Sequence, residues 1–193
     1  MGRPRAFCAE TALDRALEVF WRKGYEATSL SDLTEAMGIN RPSLYGTFGN
    51  KEGLFRQALE RYVRRKEAHL RAALDAPTGR AAVERLLLEA AAALTDPDHP
   101  AGCMAVQGAL TCNEGSECLR QELERYRLDQ ESIVRERLEQ AAAAGDLPSH
   151  ADPAALARLV TTLLHGLSVQ AAAGAQRAEL EEIVHAALAF WPP

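Results

Sequence analysis

No run of eighteen apolar residues occurs in this 193-residue chain, so no membrane-spanning helix is expected. The opening MGRPRAFCAE lacks the apolar core of a secretion signal, and the cytoplasm is the expected compartment. Four cysteines (Cys8, Cys103, Cys112 and Cys118) are too few and too irregularly spaced for a disulfide framework. No C-x-x-C or H-x-x-x-H spacing marks a metal site, and neither metal nor cofactor is expected. A Gly-rich phosphate loop, a G-x-S-x-G elbow and paired carboxylates are all missing. The five histidines are scattered, with no nucleophile beside them, so no enzyme is predicted. No stretch alternates with period two for long enough to make a sheet.

Lysine is also scarce and one-sided, with none beyond Lys66. Residues 1–66 carry 12 Lys and Arg against 8 Asp and Glu, a balance of +4; the remainder carry 10 against 19, a balance of −9. The net charge of −5 therefore hides a basic end suited to phosphate contact and an acidic remainder that discourages non-specific adhesion.

What is abundant is Ala, Leu, Glu and Arg, with apolar residues recurring at three and four, and the chain reads as all-α. Helices are predicted over about 11–23, 30–37, 41–48, 51–74, 80–94, 103–111, 116–144, 154–173 and 177–190. Breaks fall at Gly24, Gly38, the APTG of 76–79, the DPDHP of 96–100, Gly145 and Gly174. The helix over 51–74 is longer than a small domain needs. It divides the chain into a domain at 1–50, a connecting helix at 51–74 and a helical domain at 75–193.

Residues 28–51, TSLSDLTEAMGINRPSLYGTFGNK, form the most specific stretch. Ser29 and Asp32 make an S-x-x-D capping box, and Leu30, Leu33 and Met37 a narrow apolar stripe. Gly38 ends that helix, Asn40 caps the next, and Pro42 sits in its first turn. Leu44 and Phe48 turn inward; Arg41, Ser43, Tyr45 and Thr47 turn outward. Two short helices about a Gly-containing turn form a helix-turn-helix.

On these residues, with Ala16, Phe20 and Gly24-Tyr25 upstream and Lys51-Glu52 and Leu54-Phe55 downstream, the chain resembles the TetR family of bacterial transcriptional regulators. It departs from the family pattern at Met37, Pro42, Gly46 and Thr47. The resemblance implies a homodimer on a double-stranded DNA operator with an inverted repeat. It also implies repression relieved when an inducer, here an unknown small molecule, enters the C-terminal helical domain.

The second short helix is expected in the major groove. Arg41 offers the bidentate fork suited to guanine, Ser43 and Thr47 reach bases or phosphate, and Tyr45 a phosphate. Pro42 adds an apolar surface, and Gly46 lets the backbone approach closely. Thr28, Ser29 and Lys51 are phosphate candidates, Lys51 at a helix N-terminus where the dipole favours an anion. Arg3 and Arg5 lie in a short GRPR arm within reach of the minor groove. Trp21 and Phe55 read as core, and Arg64, Arg65 and Lys66 as a solvated face.

Candidate ligand contacts are Cys103, Met104, Gln107, Thr111, Cys112 and His165. A dimer interface is expected on the last two helices through Leu156, Val160, Leu163, Leu167, Leu180, Val184 and Leu188, as a four-helix contact with a twofold mate. Two alternatives stand beside the inducer-released repressor. One is a repressor that senses electrophiles or oxidants through Cys103, at a helix first turn that activates a thiol, or through Cys112 and Cys118. The other is a ligand-independent architectural or activating DNA-binding protein.

Overall fold

The computed structural model describes residues 8–111 and 117–192, and only the backbone of 109–111 and 117–118. Arg3, Arg5 and Cys112 lie outside the described residues, as do the side chains of Thr111 and Cys118. The described residues form nine helices and no strand: α1 (Ala9–Ala27), α2 (Leu30–Met37), α3 (Arg41–Phe48), α4 (Lys51–Leu74), α5 (Gly79–Leu94), α6 (Met104–Thr111), α7 (Glu117–Ala143), α8 (Pro153–Ala172) and α9 (Arg177–Leu188). None of them is long and apolar enough to cross a membrane.

The ends of these helices follow from local chemistry. The regular part of α1 stops at Gly24, whose φ of 74° and ψ of 170° kink the chain before Tyr25. Ser29 and Asp32 close a reciprocal capping box on α2, satisfying two N–H groups that the first turn leaves over. Asn40, Asn50, Thr78 and Asp152 cap α3, α4, α5 and α8 through their side chains. Helix α6 begins one residue later than expected. Cys103 sits ahead of its first turn, its carbonyl accepting from Gln107 N–H at 3.0 Å.

Packing divides the side chains into two cores. The first gathers Ala16, Phe20 and Trp21 of α1, Leu33 of α2, Leu44 and Phe48 of α3, and Leu54, Phe55 and Tyr62 of α4. It also takes Met104 and Ala105 of α6 and Leu119, Leu123 and Tyr126 of α7. Phe20 meets Phe55 edge-on at 5.0 Å between ring centres, and burial of a side chain that large stabilises by roughly 1.5–3 kcal/mol. The second core joins Leu70, Ala73 and Leu74 of α4 and Val134 and Leu138 of α7 to the inner faces of α5, α8 and α9. Helices α4 and α7 thus run through both cores, and Cys103 touches each.

The faces of α8 and α9 require a correction. Val160, Leu167, Leu180, Val184 and Leu188 are each 4% exposed or less and belong to the protomer's own core. Leu156 and Leu163 are half-buried against the same core. The large apolar side chains open to solvent on this side are Leu159 and Val169 on α8, Ile183 on α9 and Phe190 beyond it.

Candidate nucleic-acid interface and internal cavity

Helix α3, the candidate reader, is held in place by the residues around it. Gly38 turns the chain with φ of 65°, its N–H donates to Glu35 O, and Ile39 N–H donates to Thr34 O at 3.1 Å. An L side chain is strained at that angle, so the tight α2–α3 corner depends on glycine. Asn40 Oδ1 then accepts from Ser43 N–H at 2.9 Å and starts α3, while Leu44 and Phe48 anchor it to the first core. Arg41, Pro42, Tyr45 and Gly46 stand exposed, with Ser43 and Thr47 half-buried beside them. A side chain at Gly46 would meet nothing within 4 Å, so the backbone there is open to close approach. The Arg41 guanidinium donates to Ser31 Oγ at 3.2 Å, a weak exposed contact that tethers it across the top of the motif.

The flanking candidates divide. Lys51 lies over the Tyr25 ring at 4.4 Å and reaches Glu26 O at 3.5 Å, which aims it from the N-terminus of α4 along the edge of the motif. Burial pulls its ammonium below the ordinary lysine value, with Glu26 and Asp32 opposing that shift. Ser29 is exposed, but its hydroxyl is engaged with Asp32 at 2.8 Å. Asp32 in turn takes Lys23 Nζ at 2.7 Å, which fastens α2 to α1. Thr28 departs from expectation: it is 1% exposed, and its hydroxyl donates to Gly24 O at 2.6 Å. Its hydroxyl closes the kink at the end of α1.

Between the two cores lies a cavity of about 340 Å³. Its walls come from α1 (Leu17, Trp21), α4 (Tyr62, Lys66, Leu70), α5 (Leu86, Ala90), α7 (Tyr126) and α8 (Leu164, His165), with Cys103 at the entry to α6. Trp21 stacks against His99 at 6.0 Å and meets Tyr62 edge-on at 5.0 Å; Tyr62 meets Tyr126 at 6.4 Å. The Tyr62 hydroxyl donates to Cys103 Sγ at 3.1 Å, and burial keeps that phenol protonated by pushing its pKa well up. Ser168 Oγ accepts from Cys103 N–H at 2.8 Å and ties the start of α6 to α8.

Of the expected ligand contacts, the structure brings Cys103 and His165 to this cavity. Met104 is buried in the first core, and Gln107 donates to Ala101 O at 3.1 Å to brace the loop before α6; neither lines the cavity. Lys66, expected on a solvated face, lines the cavity instead. Trp21 is core, as its spacing predicts, and cavity wall as well. The signal for Lys66 was in the spacing. It stands four residues after Tyr62 and four before Leu70, both buried, so one face of α4 carries all three. Among the described residues no group of His, Cys, Asp and Glu is arranged to hold a metal ion.

Residues 12–58 match the family model described as bacterial regulatory proteins, tetR family, and residues 79–187 match the tetracyclin repressor-like C-terminal domain. The chain is 38% identical over 195 residues to the HTH-type transcriptional repressor ComR of Escherichia coli strain K12, covering 99% of this chain and 92% of that one. It is 42% identical over 109 residues to the HTH-type transcriptional repressor BdcR of the same strain, 55% of each. A cysteine mutant of the TetR family transcriptional regulator CifR, solved with 26-bp double-strand operator DNA, superposes with a TM-score of 0.95 at 46% identity, over 98% of this chain and 100% of that one. With a helix-turn-helix carried on its first core and a repressor-like helical unit behind it, the chain belongs to the TetR family of bacterial transcriptional regulators.

Proposed function

We propose that the protein is a dimeric repressor that reads an inverted-repeat operator through α3 and leaves it when a small molecule occupies the cavity between the cores. One observation carries the coupling. The same cavity is walled by α1 and α4, which pack the reader, and by α5, α7 and α8 of the second core. A ligand there spreads or rotates one core against the other, and α4, about 36 Å long at 1.5 Å per residue, carries that displacement to the reader. Two readers must sit about 34–36 Å apart on one face of DNA, so a small change in their separation costs both half-sites at once. Arg41 supplies the strongest base contact of α3, with Pro42, Ser43, Tyr45, Gly46 and Thr47 beside it and Lys51 on the phosphate. The twofold contact uses the outer faces of α8 and α9 about Leu159 and Ile183, since the inner faces are spent on the protomer. Such a protein works in the cytoplasm, where the DNA is.

The test is selection of bound sequences from a random duplex pool by the purified, reduced protein at a stated salt concentration. Enrichment of an inverted repeat supports the dimeric repressor; a folded protein that enriches nothing is an architectural binder instead.

A second reading keeps the repressor and changes the signal. Cys103 lines the cavity, where a small electrophile can reach it, and the Tyr62 hydroxyl donates a hydrogen bond to its sulfur. A Cys103→Ser protein should then no longer be released from the selected operator by an electrophile such as N-ethylmaleimide. Release that persists in this variant removes Cys103 as the sensor.

A further inference from the structure

Three buried side-chain polar atoms among the described residues have no hydrogen-bond partner: Trp21 Nε1, Tyr126 Oη and His165 Nε2. All three residues line the cavity between the cores. Trp21 is 7% exposed and Tyr126 5%, so neither polar atom turns to the protein surface instead. A native interior rarely leaves polar groups idle, and three on residues that line one space mark a wall with hydrogen-bonding capacity to spare, tilted toward acceptors by the donor-only indole of Trp21.

The charge in the cavity has the same bias. The Lys66 ammonium lies 5.8 Å from the centre of the Trp21 ring and 5.7 Å from that of Tyr62, and it makes no ion pair among the described residues. Burial holds it below the ordinary lysine value, against the opposing pull of Cys103 and Asp96. Of the acidic groups along the wall, Asp14, Glu18 and Glu89 are paired with arginines, and Asp96 keeps its charge with only a backbone partner. Asp14 takes Arg61 and Arg65 at 2.7 and 2.9 Å, Glu18 takes Arg22 at 3.5 Å, Glu89 takes Arg85 at 2.9 Å, and Asp96 accepts from Asp98 N–H at 2.9 Å. Among the donors, one cation and an indole N–H remain uncommitted, both donors only, with a phenol and an imidazole nitrogen able to adapt. The rest of the wall is apolar, from Leu17, Leu70, Leu86, Leu94 and Leu164.

We infer that the cavity binds a small organic monocarboxylate, its carboxyl group held by Lys66 and Trp21 and its apolar or aromatic body lying among the leucines. The inference rests on the reading of this cavity as the inducer site and names the chemistry of the inducer. One negative charge is the most that Lys66 can accept with the Asp96 carboxylate on the same wall; a phosphate would bring more charge than this wall neutralises. About 340 Å³ lies at the low end of the roughly 300–1,000 Å³ typical of ligand pockets, which limits the guest to one small molecule.

The test uses the whole protein and matched probes: benzoate and 3-phenylpropanoate, their primary amides, and 3-phenylpropylamine. Calorimetry gives affinities, and Trp21 fluorescence, read in a Trp191→Phe protein that leaves it the single tryptophan, reports whether the cavity is the site. An acid should bind at least about tenfold more tightly than its amide, as a charge-assisted hydrogen bond requires, and the amine should not bind. In Lys66→Met, whose side chain keeps most of the buried stem, the acid-to-amide ratio should fall to about one. The acid–amide comparison needs no variant, so a Lys66→Met protein that fails to fold leaves it standing. Amides binding as well as acids, acids binding without perturbing Trp21, or a ratio that survives Lys66→Met would each overturn the carboxylate site. Release from the selected operator is measured separately. Acids that bind the cavity without releasing DNA would leave the site intact and end the inducer reading.

Discussion

Arg41 and Asp32 show how single residues divide the work of the motif. The Arg41 guanidinium rests on Ser31 Oγ at 3.2 Å, an exposed contact that DNA easily replaces. Arg41→Ala should weaken specific binding by about 1–3 kcal/mol and relax preference at one base position, as read by competition between the selected operator and its single-base variants. Equal loss on operator and random duplex would make Arg41 a phosphate contact. Asp32 acts on the scaffold. The Lys23 ammonium, then the Ser29 N–H and hydroxyl, draw its pKa from 3.8 to about 2. A depressed carboxylate stabilises the fold at pH values above its unfolded pKa and loses that contribution as pH falls through the folded one. The melting-temperature gap between wild type and Asp32→Asn should therefore be full above about pH 4 and close toward pH 2. A gap that stays constant across that range would show the capping carboxylate is not what α2 depends on. Both residues were legible in the sequence because capping boxes and outward-facing reader positions are local patterns. Thr28 was not, because whether its hydroxyl faces phosphate or the Gly24 carbonyl depends on how α1 ends.

At the level of elements, what can be read from sequence is each helix, and what cannot is which of its faces is taken. The span of α4 follows from its cap and pattern, and the start of α6 shifts by one residue because Gly102 holds Cys103 outside it. Gly102 has φ of 82° and donates its N–H to Leu94 O at 3.0 Å. A Cβ there would press on Gln107 Nε2 and lie 2.9 Å from Ser168 O. Gly102→Ala should cost roughly 1–3 kcal/mol of stability, measured by denaturant unfolding, because strain and the clash with α8 add. No measurable loss would mean the segment between α5 and α6 can relocate freely. Helices α8 and α9 give the opposite lesson. Both carry apolar residues around much of their circumference, so periodicity marks them as packed without saying against what. The monomer core claims Val160, Leu167, Leu180, Val184 and Leu188, which leaves Leu159 and Ile183 facing outward.

Across the whole molecule, the feature that matters is that α1, which packs on the helix-turn-helix, shares a cavity with the helices of the second core, while α4 and α7 run through both cores. The first core takes Met104, Leu119 and Tyr126 from beyond residue 100 alongside the helix-turn-helix, a long-range pairing that no local pattern announces. Coupling between such sites is typically about 1–3 kcal/mol, roughly 5–150-fold in affinity. The most direct measurement is the operator affinity of Ala90→Trp, which places an indole on the α5 wall of the cavity and changes no residue of α1, α2 or α3. With its melting transition intact and its added fluorescence buried, this variant should bind the operator about 5–150-fold more weakly than wild type while random duplex affinity changes little. Wild-type operator affinity with the indole buried in the cavity would show that filling this space does not move the reader.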